Sequence, residues 1–217
     1  DRAMIEIRHE VRERLDTTLA TRLSLFWSSW AELALPHPRG RFPLVDRIDL
    51  VETGRCLQGN DRRTAVVLPL GEDRRQGLVV EAAAFMLDKL AVPAKDSLLA
   101  APAALVALGT REVTKAVLFP VRFLYTLGTG KADGNATAVH WYASQPGVAA
   151  TSLAVAALAW RDRGLDRDQV LILLRRELVP LYLELTARYA QALTSMDFGA
   201  LVRGLLEWNA RLGRPRL

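Results

Sequence analysis

The sequence predicts a mainly α-helical protein, a helical bundle, and three observations lead there. From residue 77 to the C-terminus, apolar side chains recur at spacings of three and four, the period of a single helix face. These runs are punctuated by Pro93, Gly109, Gly128-Thr-Gly130, Pro146 and Gly164, residues that end or interrupt helices. Half of the 217 residues are apolar and a quarter charged, so the chain has enough apolar surface to bury a real core.

In chain order, residues 3–7 (Ala-Met-Ile-Glu-Ile) alternate apolar and polar at their end and read equally as a short strand or as the start of a helix. Residues 10–34 read as a helix, with Val11, Leu15, Leu19, Leu23, Phe26 or Trp27, and Trp30 on one face. Pro36, Pro38, Gly40 and Pro43 then break regular structure. Residues 45–57 are a short apolar segment, 60–63 a turn, 65–70 a short extended piece and 71–75 a further turn. That last turn is taken as the boundary between two domains, residues 1–75 and 76–217. Helices follow over 77–91, 95–107, 110–128, 134–144, 147–162, 166–193 and 197–212. Thr110, Asp166 and Asp197 stand where N-caps belong. Pro102, Pro120 and Pro180 fall inside helical patterns and predict kinks or breaks, because each lacks a backbone donor.

Composition excludes several functions. The formal charge is +5 and the pI about 9.8, but the 29 basic residues are scattered among acids. Only Lys89, Lys95, Lys115 and Lys131 are lysines, and the arginine bias with abundant Ala and Leu fits a GC-rich bacterial genome. No basic stripe interleaved with aromatics is present, so no nucleic-acid partner is expected. The single cysteine, Cys56, excludes an internal disulfide, suits a reducing cytoplasm and is expected to be a small buried side chain. Charges interrupt the first ten residues, so no signal peptide is expected. The apolar run over 148–160 is too short for a bilayer, so no membrane association is expected and the run reads as a core helix.

The helix at 110–128 has two faces. Val113, Val117, Pro120, Leu124 and Leu127 form a buried seam, while Glu112, Lys115 and Arg122 share a neighbouring stripe. Arginine forks suit phosphate oxygens and a carboxylate suits an ammonium, so this edge is a candidate ligand contact; the competing reading is a solvated face with intrahelical ion pairs. Gly128-Thr-Gly130-Lys131 follows a helix rather than a strand and reads as a C-cap, with Lys131 favouring the helix dipole. His140 is expected to be packed and hydrogen-bonded, and His9 and His37 have no partner at metal spacing. Asp46 and Asp49 are three apart, unsuited to a magnesium pair on a strand, so no metal ligand is assigned. The five tryptophans read as core anchors, with Trp30 placed to stack on a ligand at the mouth of a cleft.

Residues 117–131, Val-Leu-Phe-Pro-Val-Arg-Phe-Leu-Tyr-Thr-Leu-Gly-Thr-Gly-Lys, followed by a polar turn and Ala138-Val-His-Trp141, resemble the C-terminal helical domain of the aminoglycoside adenylyltransferases. There a V-L-x-x-x-R-x-x-Y-x-x-x-T-G-K helix precedes an A-x-x-W helix. The resemblance implies a nucleotide contact for Arg122. A second family lysine, four residues beyond the Thr-Gly-Lys, is Asn135 here, and Lys131 stands in for it. Glu112 sits near the place of an acid that contacts the antibiotic, and Lys115 replaces the family's asparagine; both are assigned to substrate, as is Trp30. Met4-Ile-Glu6-Ile7, Trp30 and Ile48-Asp49-Leu50 follow the order of an L-E-V-T-I strand bearing the catalytic base, an aromatic and an I-D-L segment, which implies Glu6 as the base. The N-terminal part would then be a small remnant of an α/β nucleotidyltransferase domain. The implied reaction is AMP transfer from ATP, with Mg2+, to a hydroxyl of a small molecule. The family's Gly-Ser loop and Asp-x-Asp pair are missing, so this chain alone is expected to be inactive: either part of a longer protein or a descendant that binds without catalysing. The other class is a non-catalytic helical protein that binds a protein partner through an apolar face.

Overall fold

In the computed structural model, residues 2–14, 28–35 and 42–214 are described. Trp27, His37 and the middle of the helix expected over 10–34 lie outside them. The chain divides into two compact units, Asp1–Pro69 and Leu70–Leu217.

The first unit contains α1 (Arg2–Arg14), α2 (Trp30–Leu33), α3 (Leu44–Glu52) and a 3-10 turn at Arg63–Ala65. Residues 3–7 are therefore helical, and no strand occurs among the described residues. Exposed i,i+4 pairs, His9 with Glu13 and Arg14 with Glu10, run along α1 and suit a helix rather than a strand. Ser29 caps α2 by accepting from the Glu32 amide at 3.1 Å. Among the described residues of this unit, Leu33, Leu44, Ile48 and Val66 are the buried apolar ones, and the buried Arg47 donates to the Val67 carbonyl at 3.3 Å.

The second unit is helical throughout: α4 (Gly71–Phe85) continued by a π-helical stretch (Met86–Leu90), α5 (Pro93–Ala100), α6 (Pro102–Ala107), α7 (Thr110–Thr129), α8 (Asn135–Ser144), α9 (Thr151–Arg163), α10 (Arg167–Leu173) continued through a second π-helical stretch (Leu174–Leu178) into α11 (Val179–Ser195), and α12 (Gly199–Leu212). Residues 71–75, expected as a turn, are instead the first turn of α4. Glu72 and Asp73 there complement the positive end of the helix. Asp166 caps α10 by accepting from the Asp168 and Gln169 amides. The other two expected caps shift by one residue. Gly109, at φ 94°, occupies the cap position before Thr110, and Phe198 does so after Asp197, which is itself left-handed at φ 62°.

α7 is the hub, packing against α4, α6, α8, α9 and α11. All five residues of its expected seam are buried, and so are Thr114, Leu118, Val121, Tyr125 and Thr126. The three prolines behave differently. Pro102 starts α6, where its missing donor costs nothing, and so splits the expected 95–107 helix in two. Pro180 follows a π-helical stretch containing Arg176, the residue whose carbonyl it would otherwise crowd, and the helix continues unbroken. Pro120 lies inside the continuous α7 and leaves the Ala116 carbonyl without its helical donor; the Tyr182 hydroxyl of α11 donates to that carbonyl at 2.9 Å.

Carboxylates from distant helices hold the start of α9, whose cap residue Ala150 has no side-chain acceptor. The buried Glu177 accepts from the Leu153 amide at 2.7 Å and pairs with Arg176. Glu184 accepts from the Tyr142 hydroxyl at 2.7 Å and the Ala149 amide at 3.0 Å. Asp96 joins α5 to α12, accepting from the fully buried Trp208 indole at 2.8 Å and from Arg211 at 3.2 Å.

Candidate functional site

Within the second unit a cavity of about 340 Å3 opens between five elements. The α4 helix and its π-helical extension supply Phe85, Lys89 and Leu90; α5 supplies Lys95, Leu98 and Leu99; α6 and the residue after it supply Leu105 and Leu108. The α7 helix contributes Glu112, Lys115, Ala116 and Phe119, and α11 contributes Tyr182. The spacing 112, 115, 116, 119 is one face of a helix, so α7 presents this edge to the cavity while its seam faces the core.

The interior of the cavity is mainly apolar. Leu99, Leu105 and Tyr182 are buried, and the Tyr182 hydroxyl is already engaged by the Ala116 carbonyl. Burial pushes the Tyr182 phenol well above its ordinary value, so it stays neutral. The mouth is charged. Three of the four lysines in the sequence line it, all exposed, together with the half-buried Glu112. Lys89 pairs with its neighbour Asp88 at 2.7 Å, and the Lys115 ammonium lies 5.3 Å from the centre of the Phe119 ring.

Two residues assigned from the sequence, Glu112 and Lys115, therefore share this cavity. Arg122 does not line it. It is half-buried on the same stripe of α7, two turns beyond Lys115, and makes no hydrogen bond or ion pair with the described residues. Lys131 is exposed just past Gly130, which ends α7 in the left-handed conformation at φ 67° and donates to the Thr126 carbonyl at 2.8 Å. The Gly-Thr-Gly-Lys run is thus a helix C-cap and does not form a phosphate cradle.

The first unit carries the other two assigned residues. Glu6 is exposed on α1, so the strand that would have aimed it as a general base is replaced by a helix. Trp30 is exposed at the start of α2 and lines a separate hollow of about 400 Å3 with Leu50 and the loop 55–63. In that loop, hydrogen bonds from the Arg63 side chain and amide hold the Asp61 carboxyl down to about 2. Cys56 is exposed, not buried as expected, because the loop carries it away from α3; its thiol faces the Gln58 carbonyl at 3.4 Å. His140 is likewise exposed, since the buried face of α8 is Ala138, Val139 and Tyr142.

The residues that carry the resemblance beyond Arg122 pack α7 against α8. Tyr125 meets Trp141 edge-on at 5.7 Å, and Gly128 lies so close to the Trp141 ring that a Cβ at that position would overlap it. Among the described residues no group of three or more His, Cys, Asp or Glu side chains converges to hold a metal, and Asp46 and Asp49 lie on the helix α3. No helix among the described residues is long and apolar enough to cross a membrane. Comparison with protein-family models, with curated proteins and with solved structures finds no match.

Proposed function

We propose that the second unit is the ligand-binding helical part of an adenylyltransferase-like nucleotidyltransferase, a protein that transfers AMP from ATP to a hydroxyl of a small molecule. In this reading Arg122 contacts the nucleotide phosphates, with Lys131 as a further contact, and Glu112 and Lys115 face the acceptor. The observation that carries the reading is Arg122 itself. Its side chain has no hydrogen bond or ion pair with the described residues and is open to an anion, and it lies on the α7–α8 hairpin that bears the resemblance. Glu6 is left out, because a helix does not aim it as the family strand would. Transfer itself requires the Gly-Ser loop and Asp-x-Asp pair, since charge neutralisation and positioning provide most of phosphoryl-transfer catalysis.

The test is calorimetric ATP titration of the purified chain and of Arg122→Ala, alongside an assay for AMP transfer. Weak ATP binding that Arg122→Ala reduces by about tenfold or more, with no transfer, is the expected result. Identical ATP binding by both proteins overturns the assignment of Arg122. AMP transfer by the 217-residue chain alone overturns the requirement for the missing motifs.

A further inference from the structure

We propose that the cavity between α4, α5, α6, α7 and α11 binds an amphiphilic anion: one apolar chain of medium length, held inside, with a carboxylate or phosphate head at the lysine-lined mouth. This inference goes beyond adenylyl transfer and does not depend on it, because it concerns binding without nucleotide.

The interior decides the first half. Leu99 and Leu105 are buried, and the one hydroxyl at the floor, that of Tyr182, is used by the Ala116 carbonyl. A sugar or polyamine placed there would leave its own polar groups unpaired, which is a heavy cost in a water-poor site. A hydrocarbon chain has no such requirement. The volume, about 340 Å3, lies near the lower end of small-molecule sites and suits one chain rather than a two-tailed lipid.

The mouth decides the second half. In a chain whose 29 basic residues include only four lysines, three of the four come together here, from the π-helical stretch, α5 and α7. Asp88 offsets Lys89, and among the described residues Glu112 is the only acid lining the cavity. Lys95 and Lys115 have no carboxylate partner among the described residues, and the Phe119 ring under the Lys115 ammonium holds it beside the opening. Net positive charge above an apolar pocket repels an aminoglycoside-like polycation and attracts a single anionic head. An acceptor of this class would be chemically unlike the antibiotics of the resembling family.

The probes are decanoate, decyl phosphate, decanol and decyltrimethylammonium, each titrated calorimetrically below its micelle-forming concentration and without nucleotide. The expected result is that one or both anions bind more tightly than decanol and that the cation does not bind. Tighter binding of decanoate or of decyl phosphate identifies the head group. Across hexanoate, octanoate and decanoate, each methylene that enters the cavity should tighten binding about fourfold. Replacing Lys95 and Lys115 together by Gln should weaken the anions about tenfold and leave decanol unchanged, as suits exposed charges. Leu108→Trp changes an exposed residue at the lining, so it should leave the fold intact and block every ligand. Equal affinity for the cation and the anions, or unaltered anion binding in both variants, overturns the proposal.

Discussion

Replacing Tyr182 by Phe removes one oxygen and isolates one carbonyl. In an uninterrupted helix the Ala116 carbonyl would accept from the amide of residue 120, but that residue is Pro120 and has none to give. The Tyr182 hydroxyl, 2.9 Å away, takes its place. Tyr182→Phe therefore leaves a partly buried acceptor without a partner, at a cost of about 1–2 kcal/mol. The decisive comparison is the same substitution in a Pro120→Ala background. There residue 120 has an amide, the helix satisfies Ala116 itself, and loss of the hydroxyl should cost less than about 0.5 kcal/mol. The difference, a coupling of about 1 kcal/mol, is read from urea denaturation of the four proteins followed by far-ultraviolet circular dichroism. Tyr189→Phe is the internal control. The Tyr189 hydroxyl also donates to a carbonyl of α7, that of Phe123 at 2.8 Å, but Leu127 has an amide available to the same acceptor. It should behave alike with and without Pro120. Equal costs for Tyr182→Phe in both backgrounds would refute the claim that the α11 hydroxyl replaces the donor missing at Pro120.

Gly128→Ala should destabilise the second unit by about 1–3 kcal/mol and change the near-ultraviolet dichroism, because the new methyl displaces Trp141 from Tyr125. Asp96→Ala should cost about 2–3 kcal/mol in urea denaturation, since the buried Trp208 indole loses its acceptor and Arg211 its partner, while Asp96→Asn retains an acceptor and costs less. Burial raises the Tyr182 and Tyr189 phenols above the ordinary value of 10.0. Their contribution to stability is therefore complete below about pH 10 and is lost as pH rises further, at about 3 kcal/mol per pH unit for the pair. Absorbance at alkaline pH should show both ionising together with unfolding; ionisation of either in the folded protein contradicts its burial.

How much of this was legible in the sequence depended on how local each cause is. The seam of α7 could be read because a helix repeats its own pattern, and Asp166 could be read because a cap acts within three residues. The breadth of burial on α7 could not, because it depends on five neighbouring elements. The start of α9 was placed four residues early, since Glu177 and Glu184, which bond to it, lie 24 and 35 residues from their partners. Residues 71–75, expected as a turn, differ for the opposite reason: their cause is local, since Glu72 and Asp73 stand in a first turn, where acids are a helix signal. The lysine-lined mouth was half visible. Glu112 and Lys115 were singled out by their stripe, but Lys89 and Lys95 join them only through the packing of α4 and α5 beside α7.

The same separation of local from distant causes bears on the resemblance itself. Tyr125, Gly128, Gly130 and Trp141 each have a structural task in the α7–α8 hairpin: an edge-on ring contact, a close helix approach, a left-handed cap. Any protein needing such a hairpin would select similar residues at similar spacings, whatever chemistry it performs. Agreement at those positions therefore reports on the packing of the hairpin rather than on a reaction. Arg122 differs in kind, because no hydrogen bond or ion pair with the described residues accounts for it. Functional inference from this motif rests on the residue that the fold does not require, so Arg122 is the position at which the nucleotide reading should be tested first. The neighbouring cavity follows the same logic. Its leucines belong to the core, but core packing does not require three ammonium groups at its mouth, and these are the residues whose replacement should alter binding while leaving the fold in place.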